Sequence, residues 1–185
     1  LAVPKTFRDY NRVASFFTRG CNAASPTQYG STVAIGNVVV SPSEFMPRLF
    51  AENGRLLDSQ GRITLDTPEA LRALENYRET YSYSDRTIYD FWKNALEGFA
   101  DGTAAMTVVF INYASHILNS QMSRIAGKLG FAPVPGGKPL LGGGVIGITQ
   151  SCTCPAAACK FLEWLYADLV APVFTMLGGL SPCRS

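Results

Sequence analysis

Short apolar runs alternate along this chain with amphipathic segments bounded by helix caps, and none approaches the roughly 20 residues of a membrane span. The longest, such as Thr107-Val108-Val109-Phe110-Ile111, have the size of a buried strand. A chain punctuated in this way lays helices on a sheet, which is an α/β or α+β architecture. Of its 185 residues, 47% are hydrophobic and 16% charged, enough apolar material for a full core. Sixteen basic against fourteen acidic residues leave a net charge of +2. No Lys/Arg block occurs, so nucleic acid is not expected as a partner. The opening Leu1-Ala2-Val3-Pro4 has neither Met nor a basic segment. The sequence therefore reads as a piece excised from a longer protein, and localisation is not read from it directly.

The elements follow from caps and periodicity. Thr6 with Asp9 reads as a capping box for a helix carrying Phe7, Tyr10, Val13, Phe16 and Phe17 and stopping at Gly20. Thr32 to Val40 reads as a buried strand, and Ser41-Pro42-Ser43-Glu44 as the start of a helix that stops at Asn53-Gly54. Asp58-Ser59-Gln60-Gly61 is a turn between two short apolar pieces, and Thr67-Pro68-Glu69 opens the next helix. Helices over 89–99, 113–125, 155–166 and 170–177 complete the order, with strands over 104–110, 129–133 and 142–149.

The inventory for chemistry is thin. His116 is the sole histidine, and no Gly-x-Ser-x-Gly elbow accompanies it. Cys152-x-Cys154-x4-Cys159 has no zinc spacing and no second Cys/His pair, so no metal is expected. A local disulfide of Cys159 with Cys152 or Cys154, or buried thiols, is the expectation instead. Cys21 and Cys183 lie far away, and the odd count leaves a thiol over. A Cys-based enzyme or redox protein using Cys152, Cys154 and His116 is the one chemical alternative these residues leave. Gly137-Lys138 is followed by Pro139, and Gly142-Gly143-Gly144 leads into an expected strand, so neither stretch is a phosphate loop. Such glycines mark backbone approached closely by another segment or by a ligand. Tyr77, Tyr81, Tyr83, Tyr89, Phe91 and Trp92 crowd beside Ser82, Ser84, Asp85 and Arg86. That mixture suits a sugar-binding cleft, where rings stack on a pyranose and polar groups meet hydroxyls; the same rings also suit a core.

Several strings, taken in order, resemble the bacterial extracellular solute-binding proteins of family 1, the maltose-binding-protein-like receptors of ABC importers. Leu1 to Phe7 is similar to their "v-P-x-T-[WF]" helix start, and Asn53 to Asp58 with Ile63 to Ala70 to their "G-G-x-l-x-d…s-p-e-a" stretch. Phe99-Ala100-Asp101-Gly102-Thr103-Ala104-Ala105-Met106 resembles "F-x-x-G-x-x-A-M". Gly130 to Gly137 with Leu141 to Gly144 resembles "G-x-a-P-x-P-G-G…l-G-G", Pro155 to Leu165 the helix "a-A-x-x-F-l-x-W-L", and Gly178 to Arg184 "g-g-x-s-P-x-R".

The resemblance implies an α/β, type II periplasmic-binding-protein-like fold with mixed sheets flanked by helices, of which this chain is one lobe plus part of the other. Residues 1–110 would be a second-lobe segment, 111–166 the crossover with part of the first lobe, and 167–185 the return. It implies capture and not catalysis: two lobes close on a solute, of the mono- or oligosaccharide class, and the closed form docks on permease subunits, with no cofactor. The full-length protein would be extracellular or periplasmic and membrane-tethered as a lipoprotein. Ligand-facing positions carried over are Asn37, near the end of a lobe-two strand, and Phe110, Asn112 and Tyr113 after the crossover. Members often carry Gly-x-Trp there; with no Trp here, stacking passes to Tyr113 or Phe110. Gly143 and Gly144 would let backbone approach the ligand, and Arg184 belongs to the last motif. Strands of 112–164 would lack their family partners, so this strip should fold back on the core or be covered by a second copy, as a homodimer. A ligand-free interaction domain is the blander alternative.

Overall fold

A computed structural model describes residues 2–36, 38–87, 92–143, 145–177 and 179. Helix α1 (Phe7–Phe16) begins at the expected cap: Thr6 accepts from the Asp9 N–H at 3.1 Å and donates its hydroxyl to the Asp9 carboxylate at 2.8 Å. It ends at Phe17, short of Gly20, because Thr18 turns the chain. The Thr18 hydroxyl donates to the Ala14 carbonyl at 2.8 Å and accepts from the Gly30 N–H at 3.0 Å. Strand β1 (Tyr29–Ser31) is thereby held against α1, so closely that a Cβ on Gly30 would stand 1.8 Å from the Ala14 oxygen.

β1 pairs in parallel with β2 (Ala104–Met106), Tyr29 opposite Ala104 and Ser31 opposite Met106. The ladder is shorter than the sequence suggests. The strand expected over 32–40 is absent: residues 32–35 leave the ladder, and Val40 already begins α2 (Val40–Ala51). Val40 is fully buried against Ala34 and Ala95, so tertiary burial pulls the helix start back from Ser41. Pro42 is tolerated because N–H groups of a first helical turn have no intrahelical partner. The helix gives way at Asn53, whose φ of 63° is left-handed, followed by Gly54.

A turn organised by Asp58, which accepts from the Gln60 and Arg62 N–H groups, brings Leu57 opposite Ile63 in an antiparallel bridge. Helix α3 (Pro68–Ser82) starts at Thr67, which accepts from the Ala70 N–H at 3.3 Å. It packs on α2 through Leu49, Ala70 and Ala73, flanked by Phe45 and Met46. Helix α4 (Trp92–Ala100) buries Ala95, Leu96 and Ala100, and Gly102, with φ of 77°, reverses the chain into β2.

After β2, a 3-10 turn over Ile111–Tyr113 and the short α5 (Ala114–Leu118) replace the long helix expected to 125. The chain stays on α4: the Arg124 N–H and the Ser123 hydroxyl both donate to the Ala100 carbonyl, at 2.9 and 3.3 Å. The segments 129–133 and 142–143 with 145–149 have no regular secondary structure and no ladder neighbour among the described residues, so the strands expected there do not form. Helices α6 (Pro155–Leu165) and α7 (Ala171–Met176) fall where caps and periodicity put them. The strip folds back on the core only in its first part, where Ile117 and Ser123 are buried; farther along, Val145 is 99% exposed and no residue of α6 is buried. Among the described helices, none is long and apolar enough to cross a membrane.

Candidate ligand-binding site

Because β1 and β2 are parallel, the segments leaving their carboxyl ends emerge on one edge of the sheet, which is where ligands of open α/β sheets bind. Those segments are 32–39 and 107–113. They are stitched together at their roots by the Thr32 and Thr107 hydroxyls, 2.7 Å apart, and by the Thr32 N–H donating to the Met106 carbonyl at 3.1 Å. Beyond the stitch, Ala34, Val40 and Ala95 form a buried apolar floor, on which the half-buried Phe110 and Tyr113 rest. Asn112, also half-buried, stands in the same 3-10 turn as Tyr113, and Ile111 is 68% exposed.

The glycine stretch joins this place through Gly142, where a Cβ would lie 2.8 Å from Cε1 of the Phe110 ring. Gly143, expected to make the close approach, is exposed and has no neighbour within 4 Å of a built Cβ. Of the expected set, Phe110, Asn112 and Tyr113 thus come together, with Gly142 in the part assigned to Gly143. Asn37, Gly144 and Arg184 lie outside the described residues.

The floor has a polar underside that the sequence reading missed. Glu44 and Arg48 are buried and paired at 3.1 Å. Glu44 Oε1 accepts from the Ala34 N–H, and the Tyr77 hydroxyl donates to the Ala34 carbonyl, each at 3.2 Å. The Arg48 guanidinium lies 4.6 Å from the Phe7 ring centroid and 5.0 Å from that of Tyr77. It also donates to the Thr80 hydroxyl at 3.4 Å, which donates in turn to Asn11 at 2.6 Å. Burial pushes the Glu44 carboxyl up against the lowering pull of Arg48 and the Ala34 N–H. Tyr77 is pushed up to about 12 by burial and by the charge of Glu44. Burial raises Tyr10 as well, its hydroxyl 2.7 Å from that of Ser31. The one sequence signal of this pair is the i, i+4 spacing of Glu44 and Arg48, which surface pairs share.

The remaining candidates separate. Tyr77 is core, Tyr81 lies 5.8 Å under Arg86, and the Tyr83 hydroxyl donates to Glu79 at 3.3 Å. Tyr89 and Phe91 lie outside the described residues. Neither the local disulfide nor buried thiols are found: Cys21, Cys154 and Cys159 are free and exposed, and Cys152 is free and half-buried. Cys154 is the N-cap of α6, and Cys159 lies beyond the i, i+4 line that would bring the two together. Among the described residues no hydrogen bond joins His116 to a cysteine. Nor does any group of three or more His, Cys, Asp or Glu converge among them. A surface cavity of about 340 Å³ between Phe50, Asn53, Arg55 and Lys138 sits at the far end of α2, away from the floor.

The family profile described as bacterial extracellular solute-binding protein matches residues 1–185. A curated relative from Sinorhizobium fredii, a probable amino-acid ABC transporter periplasmic-binding protein, is 21% identical over 99% of this chain and 41% of its own length. Maltose-bound MalE3 of T. maritima superposes with a TM-score of 0.82 at 24% identity, covering 100% of this chain and 48% of that one. A solute-binding protein of Thermotoga lettingae bound with α-D-tagatose gives 0.81 at 27% identity, covering 98% and 47%. The chain spans about half the length of the proteins it matches. Its fold is type II periplasmic-binding-protein-like, and the described residues form a partial lobe of mixed helix and sheet.

Proposed function

We propose that this chain, which belongs to the bacterial extracellular solute-binding proteins, supplies one wall of the cleft in which an ABC-transporter receptor captures a small polyhydroxylated solute. The observation that carries the reading is the packing of Phe110 and Tyr113 on the Ala34–Val40–Ala95 floor, with Asn112 in the turn that holds Tyr113, at the carboxyl edge of the parallel strands. Two half-buried rings with an amide between them suit a sugar or polyol, whose C–H face stacks while its hydroxyls take hydrogen bonds. Asn37, Gly143, Gly144 and Arg184 are assigned to the same cleft. The facing wall comes from the part of the polypeptide beyond this chain, and closure of the two lobes buries the solute. In this reading residues 1–110 and 167–185 belong to one lobe and 111–166 pass to the other, the full-length protein is tethered outside the cytoplasmic membrane, and its closed form docks on permease subunits.

The sugar-bound T. maritima and T. lettingae structures support a carbohydrate; the name of the S. fredii relative supports an amino acid as the second reading. A thermal-shift screen of the full-length protein with maltose, D-tagatose, ribitol and the common amino acids separates them. A solute at about a hundred times its dissociation constant adds roughly 2.7 kcal/mol. Stabilisation by a sugar or polyol, abolished by Phe110→Ala, is the expected result. Stabilisation by amino acids alone moves the assignment to the second reading, and no shift with any of them overturns both.

A further inference from the structure

We propose that Glu44 and Tyr77 are positioning residues for the binding site: they grip Ala34 by both ends and so fix the floor on which Phe110 and Tyr113 stand. The proposal rests on the solute-capture reading for its functional half. Ala34 lies outside the strand ladder, so among the described residues no neighbouring strand holds its backbone. Its N–H is bound instead by the Glu44 carboxylate from α2, and its carbonyl by the Tyr77 hydroxyl from α3. Both groups are buried, and Ala34 itself is 0% exposed. A buried backbone group with no ladder partner demands a side chain or a water, and here two helices meet that demand at one residue.

The Glu44–Arg48 pair is a poor device for stability alone, since buried ion pairs are often matched or bettered by apolar residues of the same volume. An apolar pair would fill the space but would leave the Ala34 N–H without an acceptor. Arg48 holds the carboxylate in place, lying between the Phe7 and Tyr77 rings and reaching Thr80. Ala34 in turn touches the cluster on which Phe110 and Tyr113 pack. A displacement of Ala34 therefore moves the two rings to which stacking is assigned, although neither Glu44 nor Tyr77 touches solute.

Tyr77→Phe tests this, because it removes the hydroxyl and keeps the ring beneath Arg48. Thr67→Ala, at the other end of the same helix, is the control that lowers stability without touching Ala34. In the full-length protein, amide hydrogen exchange over 33–36 in Tyr77→Phe is expected to quicken about tenfold relative to amides of α1 and α3. In Thr67→Ala it is expected to stay in step with them. The affinity for maltose, D-tagatose or ribitol, whichever stabilises the wild type, is expected to fall about tenfold in Tyr77→Phe and less than twofold in Thr67→Ala. Exchange over 33–36 that rises only in step with the helices overturns the grip. A loosened loop with unchanged affinity overturns its role in binding. If an amino acid is what stabilises the wild type, its affinity is the one compared; if neither these solutes nor the amino acids bind, the capture reading fails and the exchange comparison alone decides the grip.

Discussion

At the scale of single residues, the tightest constraint lies at position 30. With the Ala14 oxygen 1.8 Å from where a Cβ would go, Gly30→Ala has to push α1 away from β1. The expected loss is about 1–3 kcal/mol, read as a lower urea midpoint at an unchanged slope. The buried phenols set a second expectation. Tyr77, pushed up to about 12, and Tyr10, raised further, stay protonated in the folded chain at a pH where the unfolded chain ionises. Their contribution is complete below about pH 10 and is lost as pH rises through the folded values, by roughly 1.4 kcal/mol per unit for each phenol. Denaturant midpoints measured from pH 9 to 11.5 should fall, and Tyr77→Phe should flatten that fall. None of this was visible in the sequence, where Tyr77 belonged to an aromatic crowd and Gly30 lay just ahead of the strand expected from Thr32. Gly30 meets Ala14 only because Thr18 folds the chain back, and Tyr77 reaches a carbonyl 43 residues away.

At the scale of elements, what was legible is what local chemistry decides. Thr6 and Thr67 announce their helices because a cap bonds to the N–H groups beside it, and Pro155 announces its own because a fixed φ and a missing N–H suit a first helical turn, whatever the rest of the chain does. Thr67→Ala should accordingly cost about 1 kcal/mol of unfolding free energy, measured by urea titration, with the α2–α3 contact kept. The Val38-Val39-Val40 run was misread for the opposite reason. A short β-branched stretch fits a strand or the buried start of a helix equally well, and the choice falls to Ala34 and Ala95, which receive Val40. Likewise 142–149 has the composition of a strand, yet a strand exists only with a neighbour, and the described residues offer none. Of the candidate site, Phe110, Asn112 and Tyr113 were expected from their place after the crossover, whereas no sequence signal assigned Glu44 and Tyr77 a part in supporting the floor.

At the scale of the whole molecule, the described residues from Leu141 to Leu177 leave many apolar side chains exposed. Leu141, Val145, Leu169 and Met176 are each more than four-fifths exposed, while Phe161 and Trp164 stack on each other at 5.8 Å in the open. Surfaces of this kind associate. Light scattering of the isolated chain should show an average mass that rises with concentration, and a strictly monomeric species across the range would contradict the exposure described. The order of the motifs made the family legible, because it survives where each string alone is weak. The pairing of β1 with β2 has a further consequence, in time instead of space. The Thr32 and Thr107 hydroxyls that join their outgoing segments are 75 residues apart, and closing a loop of that length costs about 4 kcal/mol of chain entropy before any strand contact repays it. The α2–α3 pair forms inside that loop from much nearer neighbours, so it should assemble first and the sheet close late. Thr107→Val should then raise the unfolding rate and leave the refolding rate nearly unchanged in stopped-flow experiments. The edge that carries the rings would be the last part of this molecule to take shape and the first to come undone.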